Sequence, residues 1–265
     1  MKISLVVSTY NNPGYLKKVL KGITLQTQPP HETLIADDGS GPDTAEAVEH
    51  WLNKHLPFPV FHLWQEDNGF RAAKIRNEAI RRSSGDYIIT LDGDCVPERH
   101  FIRDHASLAQ KGFFFQGKRM LIGKLASAFF DPALAPSNGY LLSLLLKGEL
   151  KNSHHLLRLP FLPGFRDASL KGTRSCNMGF FRDDLIAVNG FNEDFVGWGR
   201  EDSELAARLY KYGLNRKSHP FRALCFHLWH EGNDRSGLEK NEKILNDVLA
   251  SPEYRCKNGI SKLET

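Results

Sequence analysis

Cysteine is scarce and scattered: the four residues at positions 95, 176, 225 and 256 form no C-x-x-C pair. That spacing argues against a zinc site or a disulfide framework and leaves reduced thiols, as in a cytosolic protein. Long apolar runs are missing too. Nowhere do eighteen apolar residues stand together, so no segment reads as a membrane-spanning helix. The opening MKISLVVSTYNN carries one lysine and an apolar run too short for the core of a signal peptide. Repeats and low-complexity tracts are lacking. The net charge of +4 is too small to point to nucleic acid, and it suits a phosphate-bearing ligand or a loose contact with an anionic membrane.

The 265 residues, 41% hydrophobic and 25% charged, suffice for one large core or a core with a small appended lobe. Over the first 120 residues, strand and helix patterns alternate. ISLVVST is a continuous apolar run, as expected of a strand buried on both faces. Leu16, Val19, Leu20 and Ile23 then recur at helical spacing. ETLIADD is a second strand, followed by a helix over PDTAEAVEHWLNKH with Asp43 and Thr44 as start signals. PVFHLWQ is a third strand, Ala72, Ile75 and Ala79 mark the next helix, and DYIITLDGD is a fourth strand. Such alternation predicts an α/β fold, a mostly parallel central sheet flanked by helices, with ligands beyond the carboxyl ends of its strands. Polar clusters fall at those ends: STYNN, DDGSG, QEDNGFR and DGDC.

From about 120 to 174 the pattern weakens into an insertion that shapes the mouth of the site. Within it YLLSLLLKG reads as a buried or interfacial helix. Order returns with SCNMGFFRDDLIAVNGF, a strand and a short helix. The chain then runs through FVGWGREDSELAARLYKYG to a final strand, polar loop and helix.

Several clusters carry chemistry. Asp92 and Asp94 stand two apart, so in an extended segment both carboxylates face one side. Close carboxylates repel unless one is protonated or a cation lies near, and oxygen ligands suit Mg²⁺ or Mn²⁺. The acids of DDGS offer acceptors for a base or a ribose. Arg71, Lys74 and Arg76 gather at a helix start, where both the guanidinium fork and the helix terminus favour phosphate. A nucleoside diphosphate held through a divalent ion gives all three clusters a role. His227 and His230 end an apolar strand, and imidazole beside the carboxylates tilts the ion toward Mn²⁺. His230, nearer the polar loop, is the preferred ligand.

VVSTYNN, DDGS, NGFRAAKIRN and LDGDC resemble the nucleotide-binding half of family 2 glycosyltransferases of the GT-A fold. NGFNEDFVGWGREDSELAARLYKYG and FHLWHEGNDRSGLEKNEKI resemble the C-terminal part shared by β1,4-galactosyltransferases, polypeptide N-acetylgalactosaminyltransferases and bacterial chondroitin-type polymerases. The resemblance covers about 1–119 and 175–246 and implies a single GT-A domain with residues 175–265 as its acceptor-binding and catalytic half. It implies that Thr9, Tyr10, Asp37 and Asp38 hold the nucleoside, that Asp92 meets the ribose, and that Gly93, Arg71 and Arg76 are further nucleotide contacts. Asp94 and His230 become metal ligands. His227 stands where the galactosyltransferase pattern has a methionine ligand, and Arg200 replaces the usual second glycine before the acids. Asp202 becomes the catalytic base, with Trp198 and Glu201 against the acceptor.

The expected activity is therefore a metal-dependent inverting transfer from a nucleotide sugar, UDP-linked by resemblance, to a saccharide or glycolipid acceptor, forming a β-linkage. The expected location is cytoplasmic, with peripheral contact at the inner face of the cell membrane. Two rivals make other demands. A sugar-nucleotide nucleotidyltransferase needs a glycine- and lysine-rich loop after the first strand, and STYNNPGYLKK lacks it. An inactive glycan-binding module predicts loss of a site acid, whereas Asp94, Glu201 and Asp202 are all present.

Overall fold

The first strand, β1 (Ile3–Thr9), decides where the two halves of the core lie. In the computed structural model, which describes residues 1–159, 161–232 and 234–262, it is paired in parallel with β2 (Glu32–Asp37) and with β4 (Tyr87–Asp92). β3 (Val60–Trp64) adds in parallel beyond β2. Successive side chains of a strand point to opposite faces. Ile3, Leu5 and Val7 accordingly join α1 (Pro13–Thr24) and Trp51 of α2 (Pro42–Leu52) in one cluster. Val6 faces the other way, against Ala73, Ile75 and Ala79 of α3 (Ala72–Arg82).

Local chemistry starts these helices. Asn12 accepts a hydrogen bond from the Tyr15 N–H at 3.1 Å and Pro13 opens α1, a combination suited to a helix N-terminus. Helix α2 differs from expectation. It begins at Pro42 after Gly41 with no side-chain cap, Thr44 is buried, and it ends at Leu52 rather than running to His55.

Beyond β4 the sheet is mixed. The whole order is β3-β2-β1-β4-β10-β6-β11-β9, with β6 (Phe113–Gln116), β9 (Phe165–Asp167), β10 (Asn177–Phe181) and β11 (Asn215–Ser218). β10 runs antiparallel to both β4 and β6. A second sheet, which the sequence pattern did not foresee, has the order β5-β12-β7-β8. Its strands are β5 (Cys95–Pro97), β7 (Lys118–Ile122), β8 (Leu150–Lys151) and β12 (Leu224–His227).

The remaining helices are α4 (Phe101–Leu108), α5 (Lys124–Phe129), α6 (Asn138–Leu146), α7 (Arg182–Ala187), α8 (Glu201–Lys211) and α9 (Leu238–Ala250). The stretch 120–174 is thus woven into both sheets, through β7, β8 and β9, rather than standing apart. α6, expected to be buried or interfacial, buries Leu141 and Leu144 and exposes Leu142, Leu145 and Leu146. Asn233, within the stretch expected as a polar loop, lies outside the described residues.

Candidate active site

The ends of β1, β2 and β4 are locked to one another by backbone bonds. Asp38 N–H donates to Thr9 O at 3.0 Å and Gly93 N–H to Ser8 O at 2.6 Å. Only glycine fits at 93, because a Cβ there would stand 2.9 Å from Ser8 O. Asn11 ties the first loop to the second, donating its N–H to Ser40 Oγ and accepting from Gly41 N–H. These loops form one wall of a cleft of about 920 Å³. Thr9, Tyr10, Asp38, Asp92, Gly93 and Asp94 line that wall, and Trp198, Glu201 and Asp202 line the facing one.

The acids of the first wall are largely engaged. Asp37 does not line the cleft. Its Oδ1 accepts from Ser40 N–H at 2.8 Å and its Oδ2 from His62 Nε2 at 2.9 Å, so both oxygens build the DDGS turn instead of facing a nucleoside. Asp38 accepts from Gln65 Nε2 and from the Arg71 backbone N–H at 2.7 Å. The Arg71 guanidinium turns away to the Glu66 carbonyl and is not part of the cleft lining. Tyr10 donates its hydroxyl to Asp67 at 2.9 Å, a bond that raises its pKa, and its ring stays exposed at the rim.

Arg76 lies at the floor of the cleft rather than on its surface. Its Nε donates to Ser8 Oγ at 2.9 Å, its Nη2 to Asp92 Oδ1 at 3.1 Å, and its Nη1 lies 3.7 Å from Glu201 Oε1. One buried guanidinium therefore links the D-x-D acid to the acid pair of α8. Asp92 stays shifted upward by burial despite this cation. The extended geometry expected for D-x-D is absent, since β4 ends at Asp92 and the chain turns through Gly93 and Asp94.

That turn leads into β5, and the small sheet then assembles a donor cluster. Antiparallel pairing sets His227 of β12 opposite Cys95, and the Leu228 N–H donates to Asp94 O at 2.9 Å. Asp94 Oδ2 consequently lies 3.2 Å from His230 Nε2 and 3.7 Å from His227 Nε2. Asp94 Oδ1 is buried without a hydrogen-bond partner among the described residues, and burial together with Asp92 pushes the carboxyl up to about 6. Burial and Arg119 push His227 down to about 3, which leaves the imidazole neutral with a lone pair free. One carboxylate with two imidazole nitrogens beside it is a donor set of the kind that suits a divalent ion such as Mn²⁺. The donor atoms that all lie within 4.8 Å of one another are those of Asp94, Cys95 and His227, and His230 joins them from the Asp94 side. Burial keeps the Cys95 thiol protonated. All four cysteines are free and buried.

On the facing wall, α8 starts after a left-handed turn. Gly199 has φ +105° and Arg200 φ +77°, so position 200 holds the conformation that a glycine would adopt most readily. The Arg200 side chain is drawn outward to Glu242 of α9 at 2.5 Å. Asn241, fully buried, donates to the Gly199 carbonyl at 3.0 Å and to the Gly197 carbonyl at 3.3 Å, pinning the loop that carries Trp198. Below, Arg208 satisfies Glu204 with two bonds and donates to the Val188 and Gly190 carbonyls, which fixes the rotation of α8. Glu201 Oε2 and Asp202 Oδ1 are buried and accept no hydrogen bond from the described residues. Burial and the Asp202 charge push Glu201 up to about 7.

Four cations on the cleft wall were not singled out from sequence: Arg119, Lys171, Arg174 and Arg235. The first lies on β7 and two lie in the stretch that carried no clear pattern; the run KGTRSC was their only local signal. Arg235 lies 5.4 Å from the centre of the Trp198 ring.

The model of glycosyl transferase family 2 matches residues 4–143, and that of the N-terminal domain of galactosyltransferase matches 165–231. The chain is 28% identical over 228 residues to hyaluronan synthase of Pasteurella multocida, covering 80% of this chain and 23% of that protein. The structure of Staphylococcus aureus TarS 1–349 in complex with UDP-GlcNAc superposes with a TM-score of 0.65 at 17% identity, covering 94% of this chain and 66% of that one. A mannosyltransferase from Pyrobaculum calidifontis in complex with GDP-Man and Mn²⁺ gives a TM-score of 0.57 at 20% identity, covering 85% and 56%. The fold they share is the expected α/β GT-A fold. The chain spans about a quarter of the length of its hyaluronan synthase relative.

Proposed function

The chain belongs to glycosyl transferase family 2, and from that premise we propose that it is an inverting transferase that moves a sugar from a nucleotide donor to a hydroxyl of a surface glycan or lipid-linked saccharide. The observation that supports this reading is that Asp94 and Asp202 line one cleft, the latter with a buried oxygen that has no partner among the described residues. A sugar hydroxyl is a weak nucleophile. Asp202 accepts its proton as the oxygen attacks the anomeric carbon, a contribution of about 10²–10⁴-fold. The bond from that carbon to the diphosphate breaks with its electron pair leaving on phosphate. Attack opposite the leaving group turns an α-linked donor into a β-linked product.

Asp94, His230 and His227 would hold a divalent ion, Mn²⁺ or Mg²⁺, which supplies positive charge against the departing diphosphate. Arg119 and Arg174, both near enough to lower the His227 pKa, add fixed positive charge in the same region. Thr9, Tyr10 and Asp38 are assigned to the nucleoside. Asp92 is assigned to the ribose, and Arg76 positions it. Trp198 offers an aromatic face to the acceptor sugar beside Glu201. TarS, a fold neighbour, is named in complex with UDP-GlcNAc, which supports a UDP-linked donor. We place the protein in the cytoplasm at the inner face of the cell membrane.

The test is nucleotide release from UDP-glucose, UDP-galactose, UDP-GlcNAc, UDP-GalNAc and GDP-mannose, with Mn²⁺ or with EDTA. Release from one of these that EDTA abolishes, with a β-anomeric product by NMR, is the expected result. No release from any donor, or release indifferent to EDTA, would overturn the proposal.

A further inference from the structure

Short helices with apolar residues on all sides normally lie inside a protein, yet α6 is covered on one side only. Leu141 and Leu144 pack into the core, while Leu142 is 54% and Leu146 79% exposed. The neighbouring α5 exposes Leu125 (75%) and Phe129 (86%). The two helices form one unit. The Phe130 ring meets Tyr140 at 6.0 Å, and Glu149, just after α6, accepts a hydrogen bond from the Ala126 N–H at 2.9 Å. Large apolar side chains clustered at a surface mark an interaction site rather than ordinary surface scatter.

The charges around this patch select the occupant. Lys124, Lys147 and Lys151 are exposed and make no salt bridge among the described residues. Asp131 and Glu149, the carboxylates that flank α5 and α6, are occupied, whereas Glu231, two residues after Trp229, is exposed. Asp131 pairs with Lys21 at 2.9 Å, and Glu149 is tied to the α5 backbone. Lys124 also lies 4.5 Å from the centre of the exposed Trp229 ring, next to His230 in the chain. A basic rim around exposed leucine and phenylalanine, with a tryptophan at its edge, is complementary to anionic headgroups above acyl chains.

We infer that the α5–α6 face docks on an anionic lipid bilayer, seating Leu125, Phe129, Leu142 and Leu146 among the acyl chains and the three lysines among the headgroups. The face is read from exposure and charge alone; its consequence, that the cleft is presented to a membrane-anchored acceptor, rests on the transferase reading above. Lys124 and Trp229 link the docking face to the loop carrying His230, so the face adjoins the metal end of the cleft.

Co-sedimentation with vesicles tests the inference on the full chain. Binding to phosphatidylcholine vesicles containing phosphatidylglycerol, lost at high salt and weak on phosphatidylcholine alone, is the expected pattern. The double variant Leu142→Gln/Leu146→Gln should reduce that binding about tenfold. Each of Lys124→Gln, Lys147→Gln and Lys151→Gln should lower it about fivefold on the anionic vesicles only. Sedimentation unchanged in these variants, or equal on both vesicle types, would overturn the inference. So would a dimer in sedimentation velocity that the leucine variant dissociates while no vesicle binds. Nucleotide release in solution should stay at the wild-type level in every variant. Its absence in the wild type would count against the transferase reading and leave the vesicle result standing by itself.

Discussion

On the strand-end wall of the cleft, Asp38 and Asp92 already accept hydrogen bonds from the protein, as does Asp37 behind it, while Asp94 Oδ1 has no partner among the described residues. On the α8 wall, the buried Glu201 Oε2 and Asp202 Oδ1 both accept none from the described residues. The first arrangement makes a rigid cradle whose remaining lone pairs are few and fixed in direction. The second keeps two buried carboxylate oxygens without a partner among the described residues, which costs free energy and, in the proposed reading, leaves them available to an incoming hydroxyl. Arg76 touches both walls and moderates the cost. In the proposed reading, binding and proton transfer fall on these two different walls, joined by one guanidinium.

The sharpest way to break this contrast is at its reactive end. Asp202→Asn should lower transfer about 10²–10⁴-fold, with nucleotide affinity by calorimetry and the unfolding temperature unchanged; near-normal turnover would assign the proton to another group. Removing the shared cation comes next. Arg76→Met leaves Asp92 and Glu201 buried without a counter-charge, a loss of about 3–5 kcal/mol in urea unfolding at neutral pH. The loss should shrink in acid, where the two carboxyls take up protons. A change under about 1 kcal/mol would mean that Arg76 does not hold the walls together.

Glu201 provides a finer test. Its carboxyl titrates near 7 in the fold against an ordinary 4.5, so folding favours the protonated form. The stability this contributes is complete below about pH 4.5 and is lost as the pH rises through about 7. Glutamine is neutral throughout. Glu201→Gln, without donor or metal, should match wild type near pH 4 and exceed it by about 1–3 kcal/mol near pH 8. Equal pH profiles would show that the α8 wall carries no such burden. The smallest effect belongs to Arg200→Gly. Relief of the left-handed backbone, about 1–2 kcal/mol, is offset by loss of the half-exposed Glu242 pair, about 0.2–1 kcal/mol, and by the freedom glycine adds to the unfolded chain. Stability should therefore move by less than about 1 kcal/mol, and a larger drop would make the Arg200–Glu242 contact a structural clamp.

Much of the architecture was legible beforehand. ISLVVST and ETLIADD became β1 and β2 nearly as written, because a run buried on both faces leaves few other readings. Leu16, Val19, Leu20 and Ile23 all face the core of α1 for the same reason. The second sheet was not legible. Of its strands β12 alone was legible, as the apolar run ending at His227; the others are two to five residues long and the sheet draws its partners from positions as far apart as 95 and 227, so no local period announces them. The arginines at 119 and 174 escaped notice likewise, since a cation in a patternless stretch looks like any solvated side chain.

The sequence by itself determined the order of elements and put Thr9, Asp38, Asp92 and the Glu201–Asp202 pair at their ends, because strand and helix periods are properties of neighbouring residues. Tertiary structure alone decided which carboxylates remained free. Asp37 was absorbed by Ser40 and His62, Asp92 by Arg76, and Asp94 was given two imidazoles by the pairing of β5 with β12. Partners such as Asp94 and Leu228, bonded through their backbones some 130 residues apart, are chosen by packing, and no local pattern encodes them.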